Sequence, residues 1–287
     1  MMRFTSRSRP KGAWFSPRAS TTPSVTATSR SPGPIEKVSE RQVGWAAVSR
    51  AVRLPSQAEK DITLRLQPIA PNVPVFPTLV GNHALQSQQL LAYEIGWREQ
   101  PTDAFSWDIA AFYNRYDDLD ATQTQPLVVL PPGAIIPLVF FNGLRGETYG
   151  FEISSNYRCS DRWRVTGNYS FLKMFLHSTA GDPSAETAEG DSPINQVYAQ
   201  SSWDLAEHVE FDLMLRYVDR LPAQQVRQYI TMDARLGWTP RPNLELALVG
   251  QNLLDAHLLQ FNPAVNPLGD VPTEVPRGIY GMATWRF

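Results

Sequence analysis

The sequence predicts an all-β fold: an antiparallel transmembrane β-barrel, partial, of about ten strands, with long extracellular loops and short periplasmic turns. Three observations predict it. Apolar residues alternate with polar or small ones along segment after segment. One face of those segments carries no Asp, Glu, Lys or Arg, whereas the other is rich in them. The connections between segments alternate short and long.

Composition narrows the class first. The 287 residues suffice for one large β domain or two ordinary ones. Charged residues make up 19%, below the usual quarter, and aromatics reach 11%. Mean hydropathy is −0.28, which excludes an α-helical membrane protein. The uncharged stretch Thr122–Leu144 contains Pro126, Pro131, Pro132 and Pro137, and these forbid a spanning helix. A net charge of −2 leaves no basic footprint for nucleic acid. The lone Cys159 excludes an internal disulfide framework and a cysteine-only zinc site.

Met1 to Glu40 does not match the rest. It holds 8 Ser, 5 Thr, 5 Pro and 5 Arg, and its first acid is Glu36. No continuous apolar core is present for a secretory signal. The segment reads as disordered, or as an out-of-frame start ahead of residues 41–287. Its Arg- and Ser-rich, acid-poor composition also fits a transit peptide.

From Val43 onward the period is two. Val43–Ser49 is the first strand, followed by Leu91–Trp97, Phe105–Tyr113 and Tyr149–Tyr157. Trp163–Phe171 reads W-R-V-T-G-N-Y-S-F, and Val197–Leu205 follows it. Val209–Tyr217 reads V-E-F-D-L-M-L-R-Y, and Ile230–Trp238 reads I-T-M-D-A-R-L-G-W. Leu244–Gly250 and Ile279–Phe287 complete the set. Such alternation is the strand signature.

The two faces meet different solvents. The charged face carries Glu94, Asp108, Glu152, Arg164, Asp204, Glu210, Asp212, Arg216, Asp233, Arg235, Glu245 and Arg286. A sandwich strand is usually about five or six residues, whereas about 9–11 tilted residues cross a bilayer. A charge facing lipid costs roughly 2–4 kcal/mol at mid-membrane, so an uncharged face fits lipid and a charged face fits a wet lumen. Trp97, Phe105, Tyr157, Trp163, Trp203, Trp238, Trp285 and Phe287 lie near the short-turn ends, where an interfacial aromatic girdle belongs.

Connection lengths agree. Glu99–Asp103, Arg158–Arg162, Ala206–His208 and Thr239–Asn243 are short. Arg50–Ser87, Asp117–Glu147, Leu176–Ile194, Asp219–Arg227 and Leu253–Arg277 are long. Short periplasmic turns and long extracellular loops are the rule for outer-membrane barrels.

A family resemblance rests on particular residues. Trp45–Ser56 (W-A-A-V-S-R-A-V-R-L-P-S), Gly150-Phe151-Glu152, Asp233–Pro240, Leu244–Asp255 and Glu274–Phe287 resemble segments of TonB-dependent receptors. The likeness runs from about Val43 to Phe287 and is most specific in the last 55 residues. It implies a barrel in the outer membrane of a Gram-negative bacterium, and energy-coupled import of a ferric siderophore or similar nutrient. Signal peptide, TonB box and plug are not recognised, so the likeness is to the C-terminal part of the barrel. TonB would be contacted only through an N-terminal part, and transport by these strands alone is not expected. The last strand, with Tyr280, Trp285 and Phe287, resembles the membrane-insertion signal read by the barrel-insertion machinery. Outer-membrane lipid is the remaining partner.

Candidate site residues follow. Arg50, Arg53, Tyr116, Phe140, Phe141 and Arg220 sit at strand–loop borders. There they either meet a siderophore-type ligand or serve loop packing and pairing with acids such as Asp61. Glu94, Asp212, Arg216, Asp233, Arg235 and Glu245 face the lumen, where the resemblance implies a plug, or they pair across strands. No metal site is expected, since His83, His177, His208 and His257 lack ligand spacing and Asp117-Asp118-x-Asp120 lacks a calcium loop's Gly turn. No catalytic residues and no cofactor are expected, because no nucleophile motif, Walker loop or Rossmann fingerprint is present. Two other readings remain open: a small self-contained outer-membrane barrel acting as a passive pore or surface-binding module, and a soluble β-rich binding domain.

Overall fold

The computed structural model describes residues 25–26, 36–180, 183–262 and 273–286. Ten long strands form a wall. They are β1 (Gln42–Arg53), β2 (Gln88–Thr102), β3 (Phe105–Thr124), β4 (Gly133–Ser160) and β5 (Trp163–Ser178), then β6 (Asn195–Ala206), β7 (Val209–Val218), β8 (Tyr229–Arg241), β9 (Leu244–Gln251) and β10 (Gly278–Trp285). Each pairs with its neighbours in chain order, all antiparallel. Among the described residues β1 and β10 do not pair with each other, so the sheet stays open. Val25–Thr26 and Glu36–Ser39 pair with the free edge of β1. The first 24 residues and residues 27–35 lie outside the described residues, as does Phe287.

At one end the turns span only residues 103–104, 161–162, 207–208 and 242–243. His208 takes φ 65°, the left-handed conformation that tight hairpin turns use. At the other end the connections span 54–87, 125–132, 179–194, 219–228 and 252–277. The alternation expected from sequence is therefore present, with one difference. The expected loop Asp117–Glu147 is mostly strand, because β3 runs on to Thr124 and β4 begins at Gly133. The start of β4 gains a second partner: Val75–Val80 pairs with Ala134–Val139 in parallel. A kink at Asp118, φ 59°, coincides with the register shift where β3 leaves the wall.

The faces separate as the period-two pattern requires. Along 144–150 of β4 the even residues are buried and the odd ones exposed. Directly opposed residues share a face, so Val48, Tyr93, Tyr113 and Tyr149 line up on the outer side. Ile95, Ile230, Leu236, Leu248 and Ile279 are also exposed, although all are large and apolar. An aqueous surface has no reason to carry a contiguous apolar band of this extent; hydrocarbon does. Aromatic rings cluster near the short turns: Trp163 stacks on Trp203 at 6.3 Å and Trp203 on Phe211 at 5.6 Å, while Phe105 meets Tyr157 edge-on at 6.1 Å.

The buried apolar residues Leu85, Leu144, Leu176, Val218, Leu221 and Val226 lie at the long-loop end. Connection 54–87 helps bury that end. Its short helix, Gln57–Asp61, starts at a capping box formed by Ser56 and Glu59. Its strands Thr63–Arg65 and Val75–Val80 form a hairpin that joins β4.

Candidate functional site

Two polar clusters stand on the inner side of the wall. The lower one is built across β6 to β10. Strand register places Ser202 opposite Asp212 and Asp212 opposite Arg235. Arg235 Nη1 lies 3.1 Å from Asp212 Oδ2 and 3.6 Å from Glu210, and its Nη2 donates to Glu245. Arg286 closes on the other Glu245 oxygen at 3.2 Å. Ser202 Oγ donates to Asp212 at 2.5 Å, and Gln200 Nε2 donates to it at 3.3 Å. Arg235 is only 16% exposed, so these contacts work in a lower dielectric than bulk water. The cluster holds three carboxylates and two guanidiniums, a pre-aligned polar lattice rather than a free ion site.

Of the six residues expected to face the lumen, the structure brings Asp212, Arg235 and Glu245 together here, but not Asp233, Glu94 or Arg216. Asp233 stands apart, and its carboxylate accepts the Asn252 backbone N–H at 2.7 Å. Asn252 in turn donates from Nδ2 to the Val275 carbonyl at 2.9 Å, tying connection 252–277 to the wall. Glu94 sits on β2, across the wall from the cluster, and is exposed. Arg216 is also exposed, one pair of residues up β7 from Met214. Gln200 and Ser202 were missed, although the two-residue turn 207–208 sets the register that aligns them with Asp212.

The upper cluster gathers at the mouth. Arg53 at the top of β1 donates to Glu59 and lies 3.4 Å from Asp120 on the β3 extension. Gln88 at the start of β2 donates to the same Asp120 oxygen. Asn142 holds the neighbouring chain, accepting from Gln86 N at 2.8 Å and donating to the Gln86 and Asp118 carbonyls. Asn82 Nδ2 donates to the Phe140 carbonyl at 2.8 Å. Burial works against the Glu59 carboxylate, yet the Ser56 backbone N–H and the Arg53 guanidinium outweigh it and hold its pKa below the ordinary value. Arg53, Pro55, Glu59, Leu85, Gln86, Gln88, Asp120 and Asn142 line a shallow cleft here.

The remaining border residues divide between the faces. Arg50 and Arg53 are three apart on a strand and so point to opposite sides. Arg50 opposes Leu91 on the outer face and donates to Gln89 at 2.7 Å. Tyr116 opposes Gly146, on the buried inner side. Phe140 and Phe141 are adjacent and diverge, with Phe141 on the side of Gly143. Arg220 is exposed beyond β7, beside Asp219. Asp61 does not meet Arg53; it faces His83 Nε2 at 2.8 Å. The Asn195 amide, then the Arg220 backbone N–H and the Tyr217 hydroxyl, keep the Asp219 pKa below its usual range against the effect of burial. Among the described residues no group of three or more His, Cys, Asp or Glu is placed to hold a metal ion, and no helix is long and apolar enough to cross a membrane. The latter says nothing about strands.

Residues 3–253 match the family model described as TonB dependent receptor-like, beta-barrel. The chain belongs to the TonB-dependent receptor β-barrel family. No curated protein matches it in sequence. Among solved structures it is similar to the siderophore receptor PirA from Acinetobacter baumannii, with TM-score 0.63, 15% identity, and coverage of 88% of this chain and 40% of that one. A G324V mutant of the ferric enterobactin receptor PfeA from Pseudomonas aeruginosa gives TM-score 0.64 at 17% identity, covering 87% and 39%. The copper transporter OprC gives 0.61 at 11%, covering 88% and 38%. The chain thus spans about 40% of the length of these structures, and the likeness is one of fold. The family consists of outer-membrane receptors and transporters of Gram-negative bacteria, not enzymes.

Proposed function

We propose that the ten strands form part of the barrel wall of an outer-membrane receptor that takes up a ferric siderophore or a similar nutrient. In this reading residues 41–287 supply the C-terminal portion of the barrel. The plug and the contact with TonB belong to other parts of the receptor. The carrying observation is the division of the wall. One side is a broad apolar band bounded by aromatic rings, the other holds the ion-pair lattice around Arg235, and the sheet between them stays open.

The upper cluster supplies the vestibule. By strand alternation Arg53, Tyr116 and Phe140 belong to the inner side near the long-loop end, and Arg220 stands at the rim. A guanidinium and aromatic rings on the same side of the wall suit a flat, anionic ferric catecholate. Arg53 is held by Glu59 and Asp120, so it positions the loop first and meets a ligand only as that latch loosens. Phe287, outside the described residues, is assigned to insertion together with Tyr280 and Trp285.

The test has two stages. The full chain, expressed with a secretion leader in a Gram-negative host, is followed by membrane fractionation and heat-modifiable gel migration. The reconstituted chain is then titrated with ferric enterobactin, and tryptophan quenching is read. Outer-membrane fractionation with saturable quenching supports the proposal. A chain that stays in solution without detergent overturns the membrane reading, and insertion without any quenching overturns the catecholate.

A further inference from the structure

Charged residues return to the outer face of the wall at one height. On β3 the outer positions Trp107, Ile109, Ala111 and Tyr113 carry no charge, and the next one is Arg115. On β5 the outer positions Val165, Gly167, Tyr169 and Phe171 lead to Lys173. On β4, climbing from Tyr157, the first charges are Glu147 and Arg145. Register confirms the shared face, since Arg115 opposes Glu147, Lys173 opposes Tyr149 and Arg145 opposes His177. Arg115 lies ten residues beyond Phe105 (105 to 115), and Lys173 ten beyond Trp163 (163 to 173). Ten residues at about 3.3 Å and about 45° tilt climb roughly 23 Å, close to the roughly 25 Å apolar band of such barrels. These side chains therefore stand where the outer leaflet's headgroups lie.

The cluster is arranged, not scattered. Asp117 Oδ2 lies 3.3 Å from Arg115 Nε, and its Oδ1 lies 3.8 Å from Arg145 Nε, so one carboxylate holds two guanidiniums side by side. Both guanidiniums keep most of their surface exposed. Glu147 stands directly across the β3–β4 ladder from Arg115. The Lys173 ammonium rests 5.4 Å from the centre of the Phe175 ring and has no acidic partner among the described residues. Three cations face two carboxylates, and Asp117 is already shared between two of them. Forked guanidiniums suit phosphate oxygens, and basic residues at an interface draw anionic lipid.

We propose that Arg115, Arg145 and Lys173 form a site for the phosphate-bearing headgroup of an anionic lipid on the outer surface of the wall. The proposal rests on the membrane reading above. The stacked Tyr149 and Phe175 rings, 6.0 Å apart, sit beside it and receive the upper acyl chains.

The test is electron paramagnetic resonance of the reconstituted full chain with spin-labelled lipids. Phosphatidylglycerol and phosphatidylcholine labels are compared in phosphatidylcholine vesicles. The motionally restricted fraction of each reports contact with the wall. The anionic label is expected to be preferred about threefold or more, and about 0.5 M salt should remove most of the preference. The triple variant R115Q/R145Q/K173Q should bring the ratio to near unity. R98Q/R164Q, which removes inner-face cations near the short turns, should leave it unchanged. Heat-modifiable migration verifies that each variant is folded, and the salt series on the unaltered chain stands if the triple variant fails that check. Restricted labels without anionic preference, or a preference that survives the triple variant or high salt, overturn this site alone. No restricted fraction for either lipid overturns the membrane reading itself.

Discussion

Replacing Leu248 by Arg tests the lipid face where it is barest. Leu248 lies on β9, is 55% exposed and opposes Leu236 and Gly281, so every direct neighbour on its face is apolar or small. It stands four residues above Leu244, which pairs with the girdle residue Trp285. Four residues at about 3.4 Å and about 45° tilt raise it roughly 9–10 Å, close to the middle of a band roughly 25 Å tall. Arg there costs about 2–4 kcal/mol, a factor of about thirty to a thousand in the folded population. The same charge at Thr284 meets a different surface. Thr284 opposes Glu245 on the inner side, so Thr284→Arg adds a cation beside a carboxylate and water. Refolding into phosphatidylcholine vesicles along a urea series, read by heat-modifiable migration, gives both stabilities. Leu248→Arg is expected to lose about 2–4 kcal/mol and Thr284→Arg under about 1 kcal/mol. Equal losses, or a larger loss for Thr284→Arg, would refute the assignment of faces.

Four further outcomes follow from the same geometry. Arg235→Met should cost about 1–3 kcal/mol by leaving Asp212, Glu210 and Glu245 facing one another, and adding Asp212→Asn should recover part of it in a double-mutant cycle. Because the Glu59 pKa is lowered in the fold, its contribution is present above the ordinary carboxylate range and is lost as pH falls through the lowered value. Hydrogen exchange of connection 54–87 should accelerate over that acid window, and Glu59→Gln should abolish the pH step. Asp233→Asn keeps an acceptor for the Asn252 N–H and should be tolerated, whereas Asp233→Leu should loosen connection 252–277, read by limited proteolysis. Gly150→Ala should block folding, since a Cβ there would come within 2.0 Å of the Phe171 carbonyl in the β4–β5 ladder.

Much of the wall was legible because one rule governs it. A lipid-facing side that excludes charge and a wet side that admits it write a period of two into the chain, and two-residue turns keep the phase from strand to strand. Phase also carried the inner cluster: once Val209–Tyr217 and Ile230–Trp238 are joined by the right register, Asp212 must oppose Arg235. The stretch 117–147 departs from the expected loop because Leu119–Thr124 pairs with Leu138–Leu144 to prolong β3 and β4, while a distant segment holds the start of β4. Ala134–Val139 is held by Val75–Val80 through a parallel pairing, which leaves no local signal. The prolines at 126, 131, 132 and 137 pointed further toward loop. Arg50 and Arg53 were grouped by proximity in sequence, although a spacing of three on a strand already separates their faces. The outer cations Arg115, Arg145 and Lys173 escaped because the alternating segments were cut where charge returned, which is where the membrane ends.

Spin labels placed one at a time at Leu215, Leu248, Asp212 and Glu245 in reconstituted vesicles probe the central claim most directly. Oxygen dissolved in the bilayer is expected to reach labels at 215 and 248, while a water-soluble paramagnetic reagent reaches those at 212 and 245. The reverse pattern, with 215 and 248 open to the aqueous reagent and 212 and 245 shielded from it, would contradict the account.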